Sequence, residues 1–373
     1  MKYPDFLKDG GKIGFIAPSF GCATEPYSSC FNSALTKFEE LGYTNVLGPN
    51  CYKGDGVGIS TDPVATALEL NDFYSSDEND VLITCGGGEL MCETISKVDF
   101  DKIKYSKPKW ILGYSDITNI SFLLTTMCDV ASIYGYCAGT FGMDIWHKSV
   151  SDTLEVLKGT KLCVSNYDKY QVESLKDENN PLASFNCTEK TDIKAYLPEK
   201  GINTLMANSI ICDNAEFGNA YKVKKGKITF EGRLIGGCID VLANLIGTRF
   251  DFVKEFNEKY KKDGIIWYLE ACELNVFSIR RTLWAMKEAG WFQYVKGFIF
   301  GRPMTGDDIM NLDRVKAVVP VLTEEFQVPI IIDADIGHVA PMMPIINGSV
   351  ATVSYVRIAD SEPVELNVKM ELL

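Results

Sequence analysis

Short apolar runs alternate with stretches of helical periodicity along the first part of the chain. Residues 12–17, KIGFIA, form an apolar run stopped by Pro18-Ser19 and predict a buried first strand. Over residues 25–41, Phe31, Leu35, Phe38 and Leu41 recur at helical spacing, with Gly42 just past the end as a C-cap. Residues 44–47 read as a second strand and 51–58 as a Gly-rich loop. Ser60-Thr61-Asp62-Pro63 opens a helix that carries on to about Tyr74, because a capping side chain is followed by Pro in the first turn. Residues 80–84, DVLIT, make a strand that runs into Cys85-Gly86-Gly87-Gly88-Glu89 and then a helix. Trp110, Ile111 and Leu112 make another, which passes through Gly113-Tyr114-Ser115-Asp116 into an apolar helix ending near Met127. Residues 132–136 add a further strand.

This alternation predicts βαβ units and a mainly parallel sheet. Ligands of such sheets sit outside the carboxyl ends of the strands. Gly86-Gly87-Gly88 and Ser115 both lie at carboxyl ends, so they can face one site.

The pattern weakens over residues 161–226, where 176–181 is polar and Lys190, Lys194, Glu199 and Lys200 scatter charge. This stretch reads as a linker and insertion covering an active site. Beyond it, residues 228–236 predict a strand, Gly236-Gly237 a turn and 238–247 a helix. Residues 264–269, GIIWYL, form a buried strand with Glu270 at its end. A helix over 276–289 carries Arg280 and Arg281 and stops at Gly290. Residues 297–301 predict a strand, 312–326 a helix kinked at Pro320, and 329–333 a strand leading to Asp335-Ile336-Gly337-His338. Residues 349–356 read as the final strand. The chain therefore divides into an α/β domain over 1–160, the 161–226 segment, and a second α/β domain over 227–373.

Composition narrows the function. A chain of 373 residues is long enough for two domains, and 46% hydrophobic content permits a large core. A net charge of −13, with no large basic cluster to offset it, argues against a nucleic-acid partner. Neither a secretory signal nor an apolar run of transmembrane length is visible, so a cytoplasmic location without membrane contact is expected. The 12 Cys show no C-x-x-C pair and no Cys/His zinc spacing, which points to reduced, mostly buried thiols. Only two His occur, His147 and His338, so a histidine base has few candidates.

Ser115 sits where a strand turns sharply into a helix. Such a turn lifts the hydroxyl off the sheet beside unpaired N–H groups that can stabilise an oxyanion. Gly113 relieves crowding there, although Ile117 stands where G-x-S-x-G would place its second Gly. The plainer reading makes Ser115 or Asp116 the N-cap of the next helix. The glycine triplet fits neither G-x-G-x-x-G nor a P-loop, which leaves a tight turn or an oxyanion-hole donor. Cys85 is a conceivable nucleophile without an elbow of its own, and reads as a core thiol. Glu270 and His338 also end predicted strands. A structural ion pair of Glu270 with Arg280 or Arg281, and a satisfied core or surface histidine, are the alternatives to a catalytic pair. His147 precedes a helix in a polar stretch and reads as structural.

Taken in order, Ala17-Pro18-Ser19, Gly86-Gly87, Pro108-Lys109, Gly113-Tyr114-Ser115-Asp116-Ile117-Thr118, the glycines of 232–237, Gly247-Thr248, Leu269-Glu270, Arg281 and Gly337-His338 form a specific set. In these pieces the chain resembles the LD-carboxypeptidase family of serine peptidases, which includes the microcin C immunity proteins. The resemblance implies an N-terminal flavodoxin- or class I amidotransferase-like domain with a parallel sheet, and a C-terminal α/β domain. It places the active site in the interdomain cleft. It makes Ser115 the nucleophile, His338 the base and Glu270 its orienting partner, with the backbone N–H groups of Gly87 and Asp116 as the oxyanion hole. It implies no metal or cofactor, a small peptide substrate and a homodimer. The reaction it implies is removal of terminal D-Ala from murein tetrapeptides through an acyl-enzyme. A hydrolase of aminoacyl- or peptidyl-nucleotide amides is the second reading, and a non-catalytic binding protein on the same fold the third. Cys238 stands where the family usually has Asn, and Gly86-Gly87-Gly88-Glu89 lacks the Gly-Gly-Tyr-Gly form of the muropeptide enzymes. The 161–226 segment has no Trp to stack on a nucleotide, but Tyr167, Tyr170, Phe185 and Tyr196 are available.

Overall fold

The computed structural model describes residues 1–198, 210–213, 220–359 and 362–373. The chain divides into two compact units. One comprises Met1–Leu162, Glu173–Asn186 and Met343–Gly348, the other Cys163–Val172, Cys187–Met342 and Ser349–Leu373.

In the first unit, Lys12–Ile16 (β1), Thr44–Leu47 (β2), Val81–Thr84 (β3), Ile111–Gly113 (β4) and Ser132–Tyr134 (β5) pair in parallel in the spatial order 2-1-3-4-5. Ile345–Asn347 (β15) adds an antiparallel strand beside β5. This is a doubly wound sheet of flavodoxin type, with its reversal between β1 and β3, the place where such sheets bind ligands at their carboxyl ends. Parallel strands covered on both faces need continuous apolar runs, and β3, β4 and β5 are buried at every position. The covering helices are Tyr27–Glu40 (α1), Pro63–Ser75 (α2), Met91–Ile95 (α3), Phe100–Tyr105 (α4), Thr118–Thr126 (α5) and Lys148–Leu157 (α6). As the sequence predicts, Asp62 caps α2 by accepting from the amides of Val64 and Ala65, with Pro63 at the first helical position. Every residue of α5 is buried, which explains why its sequence shows no polar face.

The second unit is built on a sheet in the order β12-β13-β14-β9-β11-β16-β17-β6. Its members are Cys163–Ser165 (β6), Lys194–Pro198 (β9), Ala220–Cys238 (β11), Ile265–Glu270 (β12), Val295–Gly301 (β13), Ile330–Ala334 (β14), Val350–Arg357 (β16) and Glu365–Glu371 (β17). Lys169–Gln171 (β7) and Cys187–Lys190 (β8) pair with each other, and Ile211–Cys212 (β10) pairs with β11. One end of β11 pairs with β9 and the other with β12, so β11, β12, β13, β14 and β9 close a circuit. Its helices are Ile239–Leu245 (α7), Val253–Tyr260 (α8), Val276–Glu288 (α9) and Arg314–Thr323 (α10). The parallel strand β12 is wholly buried, whereas the antiparallel β16 alternates, as one-sided burial requires.

Three expectations are corrected. Gly236-Gly237 is not a turn: β11 runs through both, at φ of 157° and 140°. A Cβ at 236 would lie 1.6 Å from the Tyr268 carbonyl oxygen, so glycine serves close strand approach there. The 349–356 strand is not the last, because β17 follows it with alternating burial. The 161–226 segment is not merely a linker and loop, since β6 and β9 within it join the main sheet. Glu199 and Lys200, with the rest of 199–209 and 214–219, lie outside the described residues. Among the described residues, no helix is long and apolar enough to cross a membrane.

Candidate active site

In the first unit, the chain leaves β4 at Gly113, passes through extended Tyr114 and reaches Ser115 at a φ of 64°. That left-handed conformation is strained for a residue with a Cβ, and it is the backbone shape a nucleophile elbow requires. Ser115 then begins a single 3-10 turn, Ser115–Ile117, that leads into α5. Gly113 is required by space: a Cβ would lie 2.4 Å from Thr84 Oγ1 and 2.8 Å from Ile117 Cγ2. Ser115 is half-buried, and its amide donates to Tyr134 Oη at 3.4 Å.

Gly87 lies against the elbow. A Cβ built on it would stand 2.9 Å from Ser115 Cβ, 3.0 Å from its Oγ and 3.8 Å from the Asp116 amide nitrogen. Thus Gly87, the Ser115 hydroxyl and the Asp116 amide share one small space. Amides in the first turn of a helix have no intrahelical acceptor, so the Asp116 N–H is suited to an oxyanion. The loop carrying Gly87 is tied to the end of β1, where Phe20 N donates to Gly87 O at 2.7 Å.

The Asp116 side chain does not cap α5. Its Oδ2 accepts from Ser19 Oγ at 2.5 Å and from Met91 N, the start of α3, at 2.9 Å, while Oδ1 accepts from Asn119 at 2.9 Å. One buried carboxylate thereby joins the ends of β1 and β4 to the start of α3. Burial pushes its pKa above the usual carboxylate range, against the pull of these three donors. Among the sequence candidates, Cys85 is buried, and burial drives its thiol well above the ordinary range, which disfavours a thiolate nucleophile. His147 is structural: its Nδ1 accepts from Ser149 N at 3.1 Å and caps α6.

In the second unit, Glu270 ends β12 with no exposed surface, and His338 follows β14. His338 Nδ1 and Glu270 Oε2 are 2.8 Å apart. Nδ1–H donation to the carboxylate fixes the tautomer with Nε2 as the basic nitrogen. Burial pulls the imidazolium pKa down, but the Glu270 charge and hydrogen bonds to Cys272 and Glu270 outweigh it, leaving the pKa well above the ordinary value. The ion-pair alternative for Glu270 does not describe its arginines: Arg280 donates to Lys316 O at 2.9 Å and Arg281 to Ser278 Oγ at 3.2 Å.

The predicted residues thus form two groups, Gly87, Ser115 and Asp116 in one unit and Glu270 with His338 in the other. Of the aromatic candidates, Tyr167 and Tyr196 are buried in the second unit, and Tyr170 lies under the Arg302 guanidinium at 3.9 Å. Phe185 belongs to the first unit. It packs on Tyr136 at 5.6 Å, which meets Tyr114 edge-on at 6.3 Å.

Sequence reasoning missed Asp240, whose carboxylate accepts from the amides of Cys272, Glu273 and Leu274 at 3.0, 2.8 and 3.1 Å and so holds the loop after Glu270. An Asp in a helical first turn reads as an ordinary end-charge, and nothing local reveals a partner 32 residues away. It also missed Arg302 and Asp335, buried and paired at 3.0 Å.

Two family models match the chain, that of the LD-carboxypeptidase N-terminal domain over residues 13–135 and that of the LD-carboxypeptidase C-terminal domain over residues 231–353. A Treponema pallidum protein that carries a carboxypeptidase name is 21% identical over 336 residues, covering 90% of this chain and 87% of that protein. A Bacillus subtilis protein named a probable murein peptide carboxypeptidase is 28% identical over 145 residues, 39% of this chain and 44% of that protein. In fold, the chain is similar to the microcin C7 self-immunity protein solved with aspartyl sulfamoyl adenosine, with a TM-score of 0.74, 19% identity, and coverage of 100% of this chain and 99% of that one.

Proposed function

The chain belongs to the LD-carboxypeptidase family, and from that membership we propose that it is a serine hydrolase that removes terminal D-Ala from murein tetrapeptides. One observation carries the reading: Ser115 is held at a φ of 64° with Gly87 and the Asp116 amide around its side chain. The His338–Glu270 pair supports it as the matching base.

In the proposed reaction, Ser115 Oγ attacks the carbonyl carbon and His338 Nε2 takes its proton. The N–H groups of Gly87 and Asp116 receive the oxyanion. Collapse breaks the C–N bond, and His338 returns the proton to the departing amine. Water, deprotonated by the same nitrogen, then hydrolyses the acyl-enzyme. Glu270 orients the imidazole and stabilises its charge. The reading takes the protein as a cytoplasmic homodimer acting on peptides recovered from the cell wall, without metal or cofactor.

The test is D-Ala release from a murein tetrapeptide by the purified protein beside Ser115→Ala. Release that disappears in the variant is the expected result. A second reading, hydrolysis of an aminoacyl- or peptidyl-nucleotide amide, is favoured by the Phe185–Tyr136–Tyr114 aromatic run beside Ser115, since bases stack on such rings. It gains if the tetrapeptide is inert and a nucleotide-linked amide is cleaved. Fluorophosphonate labelling of the wild type but not of Ser115→Ala speaks against the third reading, a non-catalytic binding protein.

A further inference from the structure

Cys238, Glu270 and His338 converge at the carboxyl ends of β11 and β12 and the loop after β14. A thiol sulfur, a carboxylate oxygen and a ring nitrogen, one from each, all lie within 4.8 Å of one another. Cys238 and Glu270 are buried. A second thiol is carried close by: Cys272 stands two residues past Glu270, and its amide is held by the same Asp240 oxygen that accepts from Cys238 Sγ. Cys272 is only partly buried. Asp240 braces both cysteines: its Oδ2 accepts from Cys272 N at 3.0 Å and from Cys238 Sγ at 3.5 Å. All five residues belong to one unit, so the cluster is complete within it.

We propose that Cys238, Cys272, His338 and Glu270 form a binding site for a thiophilic divalent cation, zinc foremost, and that the ion reversibly inhibits the enzyme by occupying its base. The donor set is two sulfurs, an imidazole nitrogen and a carboxylate oxygen. That combination suits tetrahedral zinc and is poor for magnesium or calcium, which take oxygen donors. Zinc bonds of about 2.0–2.3 Å put neighbouring donors roughly 3.3–3.8 Å apart, so donors as far apart as 4.8 Å must approach by about an ångström, while the His338–Glu270 pair, hydrogen-bonded at 2.8 Å, must open by about half an ångström. On binding, each thiol releases its proton to solvent and coordinates as thiolate. The imidazole coordinates through a nitrogen lone pair, and no electron is transferred. An ion at the His338 ring or the Glu270 carboxylate removes either the lone pair that accepts the Ser115 proton or the charge that orients it. Inhibition rests on the proposed hydrolase reading; the binding itself does not.

The test therefore has two arms, both on the full-length protein kept reduced with a phosphine. In the first, zinc is titrated against a chromophoric chelator, and cobalt(II) serves as a spectroscopic probe. One ion per chain and a thiolate-to-cobalt charge-transfer band are expected, with affinity falling about 100-fold or more in Cys238→Ser/Cys272→Ser. Cys272→Ser alone, at a partly exposed position, should lose part of the band and guards against misfolding of the double variant. No charge-transfer band, or equal affinity in wild type and double variant, overturns the site. In the second arm, amide hydrolysis is followed against zinc and after chelation. Loss of activity that EDTA restores, with a tenfold or larger rise in the inhibitory concentration for Cys272→Ser, is expected. Binding without inhibition of an active enzyme overturns the regulatory claim. If no substrate is turned over at all, the hydrolase reading has failed, and the first arm still decides the site.

Discussion

Gly337 is packed directly onto Glu270. A Cβ at 337 would lie 2.4 Å from Glu270 Oε2 and 2.6 Å from its Cγ, and the residue adopts a φ of 101°. The hydrogen bond between His338 and Glu270 depends on this absence of a side chain, because Gly337 brings the loop onto the end of β12. Gly337→Ala should therefore lower unfolding free energy by about 1–3 kcal/mol through backbone strain, and cut kcat by tenfold or more. Urea midpoints at unchanged m, together with steady-state rates, check this; a variant as stable and as active as wild type contradicts it.

Glu270→Gln keeps the shape but removes the charge that favours the imidazolium. In the proposed reaction kcat should fall by about 100- to 10,000-fold. Glu270 also raises the His338 pKa, and a base works only when neutral, so in the proposed reaction the wild-type acidic limb of kcat/KM should lie above the ordinary histidine range. Removing the charge should move that limb to lower pH even as the plateau drops. An unmoved limb in a full pH profile would separate His338 from the rate.

Asp116→Ala leaves Ser19 Oγ, Met91 N and the Asn119 amide without their shared acceptor. Leaving a buried donor unsatisfied costs roughly 1–3 kcal/mol, so a loss of about 3 kcal/mol is expected for the group. The elbow should loosen as well, seen as slower fluorophosphonate labelling of Ser115. Thermal melts and labelling rates measure the two effects separately.

Asp335 gives a pH dependence of defined sign. Burial raises its pKa to about 6 from 3.8, partly opposed by Arg302 and the Tyr167 amide. Between these values the folded state holds the proton and the unfolded state does not. The stabilisation is therefore full below about pH 4 and is lost as pH rises through about 6. A shift of roughly two units corresponds to about 3 kcal/mol. Unfolding free energies of wild type and Asp335→Asn at pH 4 and pH 7 should differ in that direction; a pH-independent difference excludes Asp335 as the cause.

The local signals that held are those set within a few residues. Buried parallel strands announce themselves as apolar runs, α2 by Asp62 and Pro63, and the elbow by Gly113 and Ser115 between a strand and an apolar helix. These depend on propensity, capping and backbone sterics, which short stretches encode. The strand β17 carried the same kind of signal, since residues 365–371 alternate polar and apolar, but residues 349–356 read as the final strand.

By itself, then, the sequence determined the α/β class, the mainly parallel sheet of the first unit and the strand-end positions of Ser115, Glu270 and His338. Only the tertiary structure decided what those residues meet. Gly236-Gly237 looks like a turn until the Tyr268 carbonyl arrives from a neighbouring strand. Asp116 looks like a cap for its own helix until Ser19 and Met91 reach it from elsewhere. The pairing of Glu270 with His338 spans 68 positions, and the convergence of Cys238 on them joins three strand ends. Contacts of that kind arise from chain closure and packing, which bring distant segments together without leaving a mark on either segment alone.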